Sequence, residues 1–223
     1  NSGGTQAVSS GGIASATTVS SGGAVYVSSG GSSYYTQIKS GGNEYILSGG
    51  YGPSATISSG GTQTIAYGGV DSASTIQAGG LQIVSGTAQA AIVSGSQSIL
   101  SGGIASATTV SSGGQLTYSS GGIATSATLG SGAKLVASVI AGDTGYVTGT
   151  NQSGSFYVSG GVASNVVLDS GGSLAVSSGG IASSTSINSG GVEAVSSGGI
   201  ARSATVNSGG TQAVSSGGIA SAT

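Results

Sequence analysis

Serine hydroxyls are the most abundant reactive groups in this 223-residue chain, and they recur in one fixed setting. Ser-Gly-Gly begins at Ser2, Ser10, Ser21, Ser29, Ser40, Ser48 and Ser59, and again at Ser101, Ser112 and Ser120. It then returns at Ser159, Ser170, Ser178, Ser189, Ser197, Ser208 and Ser216. Hydroxyls beside a glycine pair, with no bulky neighbour, suit an enzyme that must reach a side-chain oxygen, so these serines are candidate O-glycosylation sites. The competing explanation is turn chemistry, in which serine bonds nearby backbone and glycine supplies positive φ. Turns alone do not demand serine, since Tyr67 and Ala78 replace it while both glycines stay.

Most other chemistry is excluded by composition. There is no histidine and no cysteine, hence no imidazole base, no thiolate nucleophile and no ordinary zinc, haem or iron–sulfur site. We therefore expect no cofactor, no metal and no enzymatic activity. Three Lys+Arg cannot neutralise a run of phosphates, which excludes nucleic acid as a partner. The stretch Gly130 to Lys134 lacks the Ser/Thr and the helix of a phosphate loop. Calcium-binding solenoids need an acid in nearly every turn, and the Ser-Gly-Gly turns carry none. The sequon Asn151-Gln152-Ser153 is a match that chance supplies in so serine-rich a chain.

The elements that must position these serines follow from their spacing. Gaps between successive Ser-Gly-Gly triplets alternate 8 and 11, so the unit is 19 residues. A short arm such as TQAV and a long arm such as IASATTV are rich in β-branched residues and bounded by glycine pairs. These features favour short strands and tight turns over helix. Stacked at fixed register, such units form an all-β parallel solenoid of about twelve rungs, a rod roughly 55–60 Å long. It fills residues 1–223 as a single domain, with irregular rungs expected near 81–100 and 134–158. Because the first residues recur at Asn207 to Thr223, we expect a fragment cut from within a repeat array.

Two apolar columns are expected in the core. One is Ile13, Ile104, Ile123, Val162, Ile181, Ile200 and Ile219; the other is Val8, Val27, Ile46, Ile65, Val176, Val195 and Val214. Ile13, Ala16 and Val19 cannot all face inward on one straight strand, which predicts a bend near residues 15–17 and a three-sided or flattened section. On this register the acids are scattered. Glu44 and Glu193 lie about eight rungs apart, roughly 38 Å, and Asp71 and Asp143 about four rungs apart, near 19 Å. With Asp169, they are not expected to form the carboxylate pair of a glycosidase, which needs about 10 Å or less. Ala141 to Gly145 (AGDTG) reads as the turn of a distorted rung. Tyr26, Tyr45, Tyr34, Tyr35 and Tyr51 are close in register and predict a stacked aromatic ladder, with a carbohydrate- or receptor-binding platform as the alternative. Thr17, Thr108 and Thr205 are expected in one column, which raises an ice-binding face as an alternative function and a passive spacer as another.

The signature V-x-S-G-G-x-x-x-V-S-S-G-G-I-A-x-x-T, seen from Val206 to Thr223, resembles the passengers of self-associating bacterial autotransporter adhesins with AIDA-type repeats. That resemblance implies a right-handed parallel β-helix exported through its own outer-membrane β-barrel, which is not in this fragment, to the bacterial cell surface. It implies autoaggregation, biofilm formation and host-cell adhesion or invasion, with partners that are the same rod on neighbouring cells and the host-cell surface. It also implies a heptosyltransferase that decorates serine. By position the acceptors are the Ser-Gly-Gly serines, and Tyr67 and Ala78 are expected to be unmodified. The lack of cysteine fits export, since a periplasmic disulfide would obstruct it.

Overall fold

A computed structural model describes residues 3–223. Among them every regular element is a strand, and the chain winds as a right-handed parallel β-solenoid. Each regular coil has three sides. Thr5–Val8 forms a four-residue side, Ile13–Ser15 a three-residue side and Thr18–Val19 a two-residue side. The next coil pairs in parallel one unit on, Thr5 with Ala24 and Ile13 with Ser32. Eleven strands make up the four-residue side, ending at Thr211–Val214, and span about 48 Å at the usual strand spacing.

The predicted bend lies where the long arm required it. Ala16 adopts φ 53°, and Tyr35, Ser54 and Ala73 repeat that left-handed turn at the same place in the following coils. Inward residues then come from each side separately. Val8, Val27, Ile46, Ile65, Val176 and Val195 are buried as expected, while Val214, in the last coil, is exposed.

The isoleucine column is corrected. Ile13 is 72% exposed and Ile104 40% exposed, and Ile123, Val162, Ile181 and Ile200 are only half-buried. The middle residue of each Ile-Ala-Ser strand points inward instead: Ala14, Ala105, Ala124, Ala163, Ala182 and Ala201 are buried. A three-residue strand between two corners has little depth behind it, and alternation then sends the larger neighbour outward. At Gly52, on the same column, even a Cβ would lie 2.4 Å from Ile46 Cδ1.

Both irregular stretches have definite forms. From Leu81–Val84 to Ser96–Ile99 the coil contracts, because Ser85-Gly86 and Ser94-Gly95 turn each corner without a full Ser-Gly-Gly. The second stretch replaces a coil with a hairpin, which is why eleven coils stand where about twelve were expected. Tyr146–Asn151 runs parallel to Ile123–Leu129, Gly154–Ser159 returns antiparallel to it, and Val162–Ser164 reverses again before stacking resumes. On the opposite side Lys134–Ile140 pairs directly with Ser173–Ser177. One side therefore gains two strands that the other lacks.

Candidate functional site

The two glycines of each corner have different duties. Gly11 closes the turn with φ 81°, a conformation glycine adopts without strain. The second glycine instead permits close approach between coils: a Cβ on Gly31 would lie 2.3 Å from the carbonyl oxygen of Val8. This turn leaves the serine outside. Of the predicted acceptors, Ser10, Ser21, Ser29, Ser40, Ser48, Ser59, Ser101, Ser112, Ser120, Ser159, Ser170, Ser178, Ser189, Ser197, Ser208 and Ser216 are all exposed. Ser2 lies outside the described residues. Serines of one corner succeed one another at about the 4.8 Å rung spacing, so they form rows along the edges of the rod. The first glycine also makes room for them. A Cβ on Gly60 would lie 2.8 Å from Ser40 Oγ and one on Gly79 2.6 Å from Ser59 Oγ.

The acids are not placed as the register alone implied. Glu44 and Asp71 lie in the core and meet across one amide: Gln63 Nε2 donates to Glu44 Oε2 at 2.9 Å and to Asp71 Oδ1 at 3.1 Å. Their separation is well inside the roughly 10 Å of a glycosidase pair, and it is burial that keeps substrate from them. Gln82 donates to Asp71 and to Gln63, Gln97 donates to Gln82, and Thr108 donates to Gln97. Ser33 donates to Glu44 and Ser74 to Asp71, each at 2.7 Å. Burial pushes both carboxyls up, Asp71 to about 7, against the lowering effect of these donors. None of the partners is a cation. Glu193 is also buried, with Gln212 on one oxygen and no partner on the other.

Asp143 and Asp169 flank the hairpin and repair what it interrupts. In regular coils a corner glycine donates to the corner above, as Gly102 N–H does to the Gly121 carbonyl. At the interruption Gly121 N–H donates to Asp143 at 3.0 Å and Gly132 N–H to Asp169 at 2.8 Å. Burial opposes the charge on Asp143, but donation from Gly145, Tyr118, Gly121 and Ser120 holds its carboxyl below the usual range. The same balance, with Asn188, Gln152 and Gly132 donating, lowers Asp169. This accords with reading AGDTG as a turn. Asp143→Ala is expected to cost about 1–2 kcal/mol and to speed amide exchange at Gly121 and Gly145; unchanged exchange would show that the carboxylate caps nothing.

The tyrosines divide between two sides. Tyr26 and Tyr45 stack at 4.9 Å and 12° on the four-residue side, whereas Tyr34 contacts Tyr35 and meets Tyr51 edge-on at the three-residue side. The threonine column fails: Thr108 is buried and bonded to Gln97, and Thr205 pairs with Ser186 on a different column from Thr17. No flat threonine face results.

Residues 148–210 match a family model described as adhesin of bacterial autotransporter system, probable stalk. The crystal structure of the TibC-catalysed hyper-glycosylated TibA55-350 fragment is similar at 35% identity and TM-score 0.63, covering 100% of this chain and 86% of that one. No curated protein matches. With the stacked coils and exposed corner rows, these likenesses define a passenger of a bacterial autotransporter adhesin, and the chain belongs to the AIDA type of that family. Within it the chain is TibA-like.

Proposed function

We propose that this passenger is displayed on the bacterial surface, having been exported through the outer membrane, and that its corner serines are O-heptosylated by a bacterial heptosyltransferase. The observation that carries the reading is the exposure of every described Ser-Gly-Gly serine, in rows along the rod. The similar TibA fragment is hyper-glycosylated by TibC, which supports a modifying enzyme as partner. The rod then serves adhesion: its long sides bind the same rod on neighbouring cells, giving autoaggregation and biofilm, or a host-cell surface, aiding attachment and invasion. Many weak contacts along parallel rods add to avidity without one strong site. Three of the five acids are buried and the other two cap backbone, which supports a non-enzymatic role.

Intact-mass measurement after co-expression with a heptosyltransferase tests the modification. The mass is expected to rise by several sugar units and to fall by one for each of Ser40→Ala, Ser59→Ala and Ser189→Ala. Tyr67→Ser, at a corner that is 84% exposed, is expected to gain one. An unchanged mass in the parent chain sinks the modification. Aggregation that survives changes on all three sides of a folded rod sinks the adhesive role and leaves a spacer.

A further inference from the structure

The hairpin that interrupts the coils also makes a surface unlike any regular side. Tyr146–Asn151 is paired on both edges, and Gly154–Ser159 is paired along one edge throughout and along the other at Tyr157–Ser159, so most of this surface is closed to strand addition and recognition falls to side chains. Their outer face, with that of Ile123–Leu129, forms a groove of about 510 Å³. Thr128, Thr150 and Ser155 stand in one row across three strands, and Thr148 and Tyr157 in the next. Gly149, directly opposite the buried Phe156, lies between these rows on the inward-facing phase of its strand. It has a local reason to be glycine, since a Cβ there would lie 1.9 Å from the Ala127 carbonyl oxygen. Tyr157 is 44% exposed, while its neighbour Phe156 is buried beneath.

The lining holds hydroxyls, two aromatic residues of which only Tyr157 is exposed, the small Ala127 and Gly149, and no charged residue. Charge complementarity therefore points to a neutral ligand, because an ionic one would lose its hydration without gaining a counter-charge. Hydroxyls spaced by neighbouring strands, about 4.8 Å apart, can each donate and accept. A polyol ring presents the same groups at similar intervals, and its apolar C–H face suits the face of a tyrosine. We propose that this groove binds a neutral pyranose saccharide, with the ring on Tyr157 and its hydroxyls on Thr150, Ser155 and Thr128. The site is separate from the corner serines and does not depend on their modification.

The test uses the unglycosylated 223-residue chain, titrated with maltohexaose, cellohexaose and galactose oligomers, with a heparin hexasaccharide as the charged probe. At least one neutral oligomer is expected to bind, with affinity falling at least tenfold in Tyr157→Ala and in the near-isosteric Thr150→Val. Tyr67→Ala, far along the rod, is expected to leave it unchanged. Circular dichroism and unfolding midpoints like the parent's confirm that both groove variants fold. No neutral binding, binding indifferent to Tyr157 and Thr150, or preference for heparin each overturns the proposal.

Discussion

Replacing Gly103 with alanine should cost the rod more than about 4 kcal/mol, whereas the same change at the adjacent Gly102 should cost only about 1–2 kcal/mol. The two sit in one corner and are constrained in opposite ways. Gly102 has φ 78° and open space around an added Cβ, so alanine meets only left-handed strain. Gly103 needs no unusual φ, but its Cβ would lie 2.1 Å from the carbonyl oxygen and 2.8 Å from the carbonyl carbon of Val84. Those atoms belong to the coil beneath, whose oxygen also accepts from Leu100 N–H at 2.9 Å. Neither coil can retreat without opening that ladder. Stability in a solenoid is a sum of neighbour contacts, so one forced gap weakens the stack on both sides. At the corner that opens the irregular coil, Ala133 holds this second-glycine place, and register is lost soon afterwards. Urea unfolding of the two variants beside the parent decides the matter; equal losses would mean that turn strain, not close approach, sets the need for the second glycine.

The spacing of Ser-Gly-Gly was enough to find the coil length, the corners and the bend at Ala16, because each rests on local backbone chemistry. The inner polar network was legible as well. With Val8 and Ile46 inward, alternation requires Gln6 and Glu44, two residues earlier, to face the same way. The column Glu44, Gln63, Gln82 and Gln97 then continues as Leu116 and Leu135. Comparing the acids only along shared columns hid it. The exposed isoleucines were not legible in the same manner. A three-residue strand has no second inward position to fix its phase, and hydrophobicity favoured Ile13 where the narrow corner admits Ala14. The hairpin eluded a repeat-based reading for a different reason. Tyr146 to Ser159 keeps strand-forming composition, and only pairing direction distinguishes it from another coil.

The rod should become more stable as pH is lowered from 8 to 5, the reverse of a protein held by ion pairs. Asp71 titrates at about 7 in the fold, raised from 3.8 chiefly by burial, and Glu44 is shifted the same way. Between those values the folded chain holds a proton that the unfolded chain has released. The stability tied to that proton is fully present below about pH 4 and is lost as pH rises through about 7. For Asp71 alone the gain from pH 8 to pH 5 is about 3 kcal/mol, or roughly 6–12 °C in thermal midpoint for a chain of this size. Further acidification works the other way, because Asp143 and Asp169 are held below their usual range and their caps fail once protonated. The expected profile is therefore a maximum near pH 4–5 with a decline on both sides. Thermal melts across pH 3–9 measure it, and the double variant Glu44→Gln, Asp71→Asn separates the causes. Its alkaline limb should flatten while the acid limb stays. A midpoint that rises from pH 5 to pH 8, or an alkaline limb that survives in the double variant, would place the titrating group elsewhere than in the Gln63 network.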